Sequence, residues 1–176
     1  MKKRVTLIAL VILLAGCGSA NKKATTTENQ NKATAVVPID TTPKVLGVGG
    51  IFFYSDNPKQ TREWYTKNLG FDINAWGSTS FDSRDIKKPE QVNTLQWRPF
   101  KTGNDYFVPS KKDFMINYRV QNIEGLVAKL KENGVTVLDT MATYDYGKFI
   151  HIMDAEGNKI ELWEPIEADK KTEQTK

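Results

Sequence analysis

Two periods of apolar and polar residues alternate between residues 45 and 165, and they occur in the same order twice. In each half, a segment of period two, typical of a strand, precedes a segment with an apolar stripe of period 3.6, typical of a helix. The first half reads GGIFFYSDNPKQTREWYTKNLGFDI and the second reads FMINYRVQNIEGLVAKLKENGVTV. The two predicted helix starts, Asn57 and Asn122, are 65 positions apart. The chain therefore contains an internal repeat.

Both predicted helices have sequence signals at their ends. Asn57 can accept hydrogen bonds from first-turn amides, and Pro58 occupies the first helical position, where its missing N–H costs nothing. Gly134 suits a left-handed cap after the second helix. Strand-like segments follow each helix: INAWGSTSFDSR and NTLQWRPF, then VTVLDT and FIHIMDAEGNKIELWE. The pattern predicts an α+β domain over residues 45–166, built from two tandem βαβββ modules.

The N-terminal segment has the composition of an export signal. A basic head of three residues precedes about ten apolar residues and the sequence Leu-Ala-Gly-Cys, which ends at Cys17. The apolar run is shorter than the roughly 20 residues of a membrane-spanning helix. The motif resembles the bacterial lipobox, which implies cleavage of residues 1–16 and a lipid anchor at Cys17. The alternative is a plain secretory signal with an incidental cysteine.

These signals predict a location in the bacterial cell envelope, on a membrane outside the cytoplasm, without indicating which membrane. Residues 17–44 are rich in Asn, Thr, Lys and Ala and predict a flexible tether, and residues 167–176 form a polar tail. Cys17 is the only cysteine, which excludes an intramolecular disulfide, a thiolate metal site and a cysteine nucleophile. Without the signal, 22 Lys and Arg face 21 Asp and Glu, so nothing indicates a nucleic-acid partner.

The repeat resembles a known superfamily through three pieces of sequence: WYTKNLG at the first helix end, YGKF, and DAEGNKIELWEP at the end of the domain. This is the vicinal oxygen chelate superfamily of glyoxalases, extradiol dioxygenases and bleomycin-resistance proteins. The resemblance covers about 120 residues. It implies a curved mixed sheet around a crevice between the modules. It is specific for the fold and weak for the reaction, since one fold hosts many chemistries.

The resemblance also implies four positions for metal ligands, one on the first and one on the last strand of each module. The first-strand positions fall on Gly50 and Met115, which are 65 apart. The last-strand positions fall on Glu161 and, at the same offset, on Gln96; an offset of 66 would select Leu95. Only Glu161 is a strong ligand, because glycine has no side chain and a thioether suits such metals poorly. We therefore expect no metal cofactor, with a divalent metal as the alternative.

The hairpin FIHIMDAEGNKIELWEP contains the only histidine of the chain. With the turn centred on Ala155 and Glu156, His151 would face Ile160, and Glu161 would point to the opposite side of the sheet. We therefore expect that His151 and Glu161 do not act together.

The same period of two predicts which residues line the crevice. They are Phe52, Tyr54, Asn117, Arg119 and Trp163, together with Glu161. Apolar walls with a few polar groups are typical of small-molecule pockets. We expect Arg119 either to balance Glu161 or to anchor an anionic or planar ligand; the alternative is a solvent-facing arginine beside aromatic residues that fill a core. The loop aromatics Tyr106 and Phe107 either form a lid over the crevice or fix the loop to the surface.

Three functions remain open at this point. The first is a lipid-anchored binding protein that holds a small molecule in the crevice without the usual metal. The second is a lyase or dioxygenase of the superfamily, with Glu161 as base or metal anchor and the candidate catalytic residue. The third is an interaction module of the cell envelope with no small ligand. A homodimer is compatible with each of them.

Overall fold

The computed structural model describes residues 40–166. The predicted signal, Cys17, almost all of the tether and the polar tail lie outside the described residues. The described chain forms eight strands, two α-helices and a short 3-10 helix, Asp105–Phe107. The strands are β1 (Lys44–Ser55), β2 (Thr79–Arg84), β3 (Val92–Lys101), β4 (Phe114–Gln121), β5 (Thr136–Val137), β6 (Ala142–Tyr144), β7 (Gly147–Met153) and β8 (Lys159–Pro165), and the helices are α1 (Pro58–Leu69) and α2 (Ile123–Glu132).

All eight strands belong to one mixed sheet in the order β2-β3-β1-β4-β8-β7-β5, with β6 paired to β7. β1 and β4 are antiparallel neighbours at the centre and join the two halves of the repeat. In each half the first strand also pairs in parallel with the last one, β1 with β3 and β4 with β8. The predicted α+β architecture of two related modules in one curved sheet is confirmed.

The two halves contain different numbers of strands. The first half has three, because residues 74–78 form a turn where the repeat predicted another strand segment. The Asn74 side chain organises this turn by accepting from the backbone N–H groups of Trp76 and Ser78 at 2.9 and 3.2 Å. The second half has five strands, since the short β6 pairs with the start of β7. None of the helices in residues 40–166 is long and apolar enough to span a membrane.

The predicted helix caps are present. The Asn57 side chain accepts from the backbone N–H of Gln60 at 3.1 Å, and Asn122 accepts from Gly125 at 3.0 Å. Such bonds satisfy amides that have no partner within the helix. Gly134 has a φ of 76°, the left-handed conformation predicted after α2.

Both helices pack on one face of the sheet, and the opposite face is called the crevice face below. The largest apolar cluster forms where α2 packs on the sheet. It consists of Ile123, Leu126 and Val127 of α2 with Val120, Ile150, Ile152 and Leu162 of the strands. Under α1 the contacts are aromatic, with the Trp97 ring 4.6 Å from Tyr65 and 5.2 Å from Phe71. Between the helices, Ile51 remains 39% exposed. Since α1 and α2 both lie on the other face, the crevice face is covered by neither α-helix and is available for a site.

Candidate functional site

Five consecutive strands bring one residue each to the same level of the crevice face. Strand register aligns Gln96 of β3, Gly50 of β1, Asn117 of β4, Glu161 of β8 and His151 of β7. We call these five residues the central row. The row contains three of the four positions that the family resemblance selected for metal ligands, namely Gly50, Gln96 and Glu161.

The fourth predicted position was wrong, because the row contains Asn117 where the repeat offset selected Met115. Gly50 pairs with Asn117 across β1 and β4, whereas Met115 pairs with Phe52. The first strands of the two halves are thus 67 residues apart at this level, and the last strands 65. Met115 is fully buried. A constant offset fails here because the connections within the two halves differ in length.

The expected separation of His151 and Glu161 was also wrong. Five residues, 154–158, connect the paired residues Met153 and Lys159, so His151 lies directly opposite Glu161. The Asp154 side chain stabilises this wider turn by accepting from the backbone N–H groups of Glu156 and Asn158 at 2.9 and 2.8 Å. One additional turn residue shifts the register by one and places both side chains on the crevice face.

Glu161 is 4% exposed and has three polar partners from different parts of the chain. Asn117 Nδ2 donates to its Oε1 at 2.7 Å, and Tyr106 Oη donates to its Oε2 at 2.5 Å. The Nε2 atom of His151 is 3.1 Å from Oε2. Burial alone would raise the pKa of Glu161, but its bonds to His151, Tyr106 and Asn117 lower the pKa below its ordinary value. The carboxylate is therefore buried in its charged form.

His151 lies between two carboxylates. Its Nδ1 atom is 2.5 Å from Asp139 Oδ2, and its backbone N–H donates to Asp139 Oδ1 at 2.9 Å. Burial lowers the pKa of His151, but the bonds to Glu161 and Asp139 more than offset this and raise the pKa above its ordinary value. A protonated imidazole donates from both nitrogens, which matches two acceptors. Asp139, His151, Glu161 and Tyr106 thus form one hydrogen-bonded chain, called the acid–base chain below.

The loop aromatics Tyr106 and Phe107 have separate roles. Phe107 is fully buried and stacks on Tyr54 with a centroid distance of 4.3 Å, which fixes the loop to the crevice face. Tyr106 covers Glu161, and burial together with the nearby carboxylate raises the pKa of its hydroxyl. The Lys159 side chain also fixes the loop, because its Nζ atom donates to the Tyr106 carbonyl at 2.7 Å. Phe107 therefore fixes the loop to the crevice face, and Tyr106, which covers the buried carboxylate, is called the lid below.

A pocket of about 210 Å³ opens beside the lid. Its lining residues are Phe52, Ser78, Gln96, Arg98, Phe100 and Tyr106. The Arg98 guanidinium lies 4.8 Å from the centroid of the Phe100 ring, which also stacks on Tyr106 at 4.9 Å. The pocket therefore combines aromatic walls with a cation and the Gln96 amide.

The other predicted ligand-binding residues lie in different environments. Phe52 lines the pocket, but Tyr54 packs against Phe107 behind it. Trp163 stacks on Phe149 with centroids 5.9 Å apart and the rings nearly parallel. Arg119 pairs with Trp163 in the register of β4 and β8.

Of the alternatives that the sequence left open for Arg119, a pairing with Glu161 is not present. Within residues 40–166, Arg119 has no carboxylate within 4 Å and no side-chain hydrogen bond, and its Nε atom is buried without a partner. It is only 9% exposed.

Sequence reasoning missed Ser78, Arg98 and Phe100 in the pocket and Asp139 in the acid–base chain. Arg98 and Phe100 alternate with buried Trp97 and Pro99, so the period of two along β3 could have indicated their face. Asp139 carried no such signal, because it follows a strand of two residues. Within the described range, no three His, Cys, Asp or Glu side chains are placed to surround a metal ion.

The chain is similar to solved structures of low sequence identity. A methylmalonyl-CoA epimerase variant from Streptomyces coelicolor, in complex with 2-nitronate-propionyl-CoA, is 14% identical, with a TM-score of 0.52, and the match covers 70% of this chain and all of that chain. The Mycobacterium tuberculosis methylmalonyl-CoA epimerase is 18% identical over 72% of this chain and 93% of that one, with a TM-score of 0.48. No curated protein shows significant sequence similarity.

A family model matches residues 47–162, which include all five residues of the central row and both α-helices. The model describes the Glyoxalase/Bleomycin resistance protein/Dioxygenase superfamily. The matched range is more than half of the 176-residue chain. The chain therefore belongs to this superfamily.

Proposed function

We propose that this protein binds a small molecule in the crevice without the divalent metal that many members of its superfamily use. One observation carries the proposal: the only carboxylate of the central row already has three hydrogen-bonding partners from its own chain, and an aromatic pocket opens beside it. The pocket supplies what a small-molecule site needs, apolar walls and a few polar groups that fix orientation.

The donor set of the central row does not fit a divalent cation. Gly50 has no side chain, and the Gln96 amide donates to the Ser80 hydroxyl at 2.8 Å. Both oxygens of Glu161 face hydrogen-bond donors, one of which belongs to the charged imidazole of His151. Catalytic metals are normally held by about three protein ligands, and histidine must be neutral to bind a metal. A metal would have to displace most of this network.

Metal addition tests this part of the proposal. The mature chain would carry Cys17→Ser so that it can be purified without a lipid, and it would be treated with chelator. Thermal unfolding is then measured with and without Ni²⁺, Zn²⁺, Mn²⁺ and Fe²⁺. We expect no stabilisation that depends on Glu161, so the wild type and Glu161→Gln should respond alike. Near-stoichiometric metal that is lost in Glu161→Gln would contradict the proposal.

Fragment binding tests the pocket itself. Amide NMR spectra of the same protein are recorded with a set of small neutral aromatic amides, of which benzamide is the simplest. We expect the shifts to concentrate on residues that line the pocket and to decrease in Gln96→Leu, which removes a polar group from the wall. Arg62→Met, on α1 behind the sheet, serves as the matched control. Shifts confined to residues outside the pocket, or no binding by any fragment, would contradict a small-molecule site here.

A second candidate, an enzyme that transfers protons, is favoured by the acid–base chain. A histidine held between two carboxylates is a common arrangement in catalysis, where a third group orients the base. Glu161 lies beneath Tyr106, so the lid would have to move before the carboxylate could reach a substrate. Turnover of a thiohemiacetal that disappears in Glu161→Gln and His151→Gln would support this reading over simple binding.

The N-terminal sequence supports a further part of the proposal, attachment to a membrane of the bacterial envelope through a lipid on Cys17. Mass spectrometry of the membrane fraction provides the test. We expect an acylated N-terminal cysteine at position 17 and release of the protein into the soluble fraction after Cys17→Ser. An unmodified N-terminus at another position would favour a plain secretory signal.

A further inference from the structure

Arg119 is a buried guanidinium without a counter-charge in the described part of the chain. It is 9% exposed, and its Nε atom has no hydrogen-bond partner. Burial lowers its pKa and distant Asp85 opposes that shift, yet arginine remains protonated in proteins. An unpaired buried charge is costly, so a position that retains one calls for a partner from outside the chain.

Two glycines of β1 make room for this side chain. A Cβ at Gly47 would lie 2.9 Å from the Arg119 Nη2 atom, and a Cβ at Gly49 would lie 2.8 Å from its Cγ. The strand also bulges between Val48 and Gly50, which brings Gly47 opposite Arg119 and Gly50 opposite Asn117. The backbone of β1 thus forms the floor on which the arginine lies.

A second buried polar atom without a hydrogen-bond partner lies on the same strand. Asn117 is 2% exposed and donates its Nδ2 to Glu161, while its Oδ1 has no partner. Turning the amide by 180° would place the Oδ1 atom against Glu161, whose carboxylate can only accept, so the amide oxygen would still have no donor. Residues 117 and 119 project on the same face of β4, so an unpaired acceptor and an unpaired donor adjoin. Of these two atoms, only the Arg119 donor can bind an anion, because the Asn117 Oδ1 atom is an acceptor.

Trp163 flanks the guanidinium on the neighbouring strand. It pairs with Arg119 in the register, and its Cε3 atom lies 3.0 Å from where a Gly49 Cβ would be. Its ring is nearly parallel to that of Phe149. An arginine beside a flat aromatic wall can bind a planar anionic group through charge-assisted hydrogen bonds and stacking.

We infer that Arg119 is the anchor of an anion subsite in the crevice, which takes the carboxylate or phosphate of a small ligand with Trp163 beside it. The subsite is separate from the pocket at Gln96 and Arg98. The inference rests on the proposed small-molecule function and adds the charge of the ligand. Charge on the crevice face supports it, since Arg98 and Lys159 also have no ion-pair partner among residues 40–166.

The test uses benzoate, benzamide and inorganic phosphate as probes on the mature chain with Cys17→Ser. The side-chain Nε–H signal of Arg119, assigned by its loss in Arg119→Met, is followed by NMR during each titration. We expect benzoate to shift this signal and benzamide to leave it unchanged. Phosphate separates the two anion classes: a shift with benzoate alone indicates a carboxylate site, and a shift with both indicates a general oxyanion site.

Two variants make the result decisive. Arg119→Met keeps an unbranched apolar side chain, removes the charge and the donors, and should weaken benzoate binding by at least about tenfold. It should leave the melting temperature unchanged or raise it, because it removes an unpaired buried charge. Arg62→Met, the matched control on α1, should leave binding unchanged.

The possible failures can be told apart. An Arg119 signal that no anion shifts, or equal benzoate affinity in Arg119→Met, overturns the subsite while benzamide binding at the pocket preserves the proposed function. A large loss of stability in Arg119→Met with unchanged affinity would show that the arginine is structural.

Discussion

His151 and Glu161 face each other across β7 and β8, with 3.1 Å between Nε2 and Oε2. Each shifts the pKa of the other toward the charged form, and Asp139 holds the imidazole from its other side. The pair is buried, so its hydrogen bonds to Tyr106 and Asn117 are needed to offset the loss of hydration. The same hydrogen bonds therefore stabilise the packing of β4, β7 and β8 and set the charge of the Glu161 carboxylate in the crevice.

Replacing the carboxylate should be costly. In Glu161→Gln, one accepting oxygen becomes an NH2 donor that faces either Asn117 alone or both His151 and Tyr106, and the negative charge beside His151 is lost. We expect a loss of about 2–4 kcal/mol in the free energy of unfolding. Urea denaturation at neutral pH measures it. Glu156→Gln, in the exposed turn of the same hairpin, is the control and should change stability by less than about 0.5 kcal/mol; equal effects would argue against the network.

Stability should depend on pH through the same pair. The pKa of Glu161 is lowered from 4.5, so its contribution is present above pH 4.5 and is lost as the pH falls through the lower folded-state value. The pKa of His151 is raised from 6.5, so its contribution is complete below pH 6.5 and is lost as the pH rises through the folded-state value. Lys159 and Asp139 also face the imidazole and act in opposite directions.

The melting temperature should therefore be highest between about pH 4.5 and 6.5 and decline on both sides. Thermal unfolding across this range by circular dichroism measures the profile. His151→Gln should flatten the alkaline decline specifically. A wild-type melting temperature that rises steadily from pH 6.5 to 9 would contradict the charged state assigned to His151.

The loop anchor should contribute to stability independently of the acid–base chain. Phe107→Ala removes a fully buried ring that packs with Phe52, Met115 and Tyr54, and should cost about 3–5 kcal/mol. It should also make the loop around residues 104–110 more sensitive to limited proteolysis. The neighbour Val108 is 57% exposed, and Val108→Ala should have little effect on either measurement. Comparable cleavage of the two variants would mean that Phe107 does not hold the loop.

The glycines of β1 should differ in their tolerance of a methyl group. At Gly49 a Cβ would overlap Asn117 Oδ1 and approach Arg119 Cγ, both of which are confined. Gly49→Ala should therefore cost about 1–3 kcal/mol and disturb Asn117. At Gly47 the close contact is only the flexible end of Arg119, so Gly47→Ala should be milder. Urea unfolding of both variants provides the comparison, and the opposite order would show that the floor of the crevice is misassigned.

The local elements could be predicted from the sequence because their causes are local. The asparagine caps, the left-handed Gly134 and the apolar stripe of α2 each depend on residues within one or two turns of chain. The internal repeat then gave the α+β architecture, since two strand–helix units with one apolar face must share a sheet. For the same reason the period of two assigned Asn117, Arg119, Glu161 and Trp163 to one face.

Only the tertiary structure decided how these residues meet. The turn at residues 154–158 contains one residue more than the predicted turn, and this additional residue places His151 on the same face as Glu161. The bulge in β1 and the length of the connections set the row in which Asn117 replaces Met115. Asp139 and Tyr106 reach the site from loops whose position depends on distant contacts, such as the burial of Phe107. Sequence by itself determined most of the elements and the inward faces of β1, β4 and β8, whereas register and loop packing, which sum many long-range contacts, determined the site.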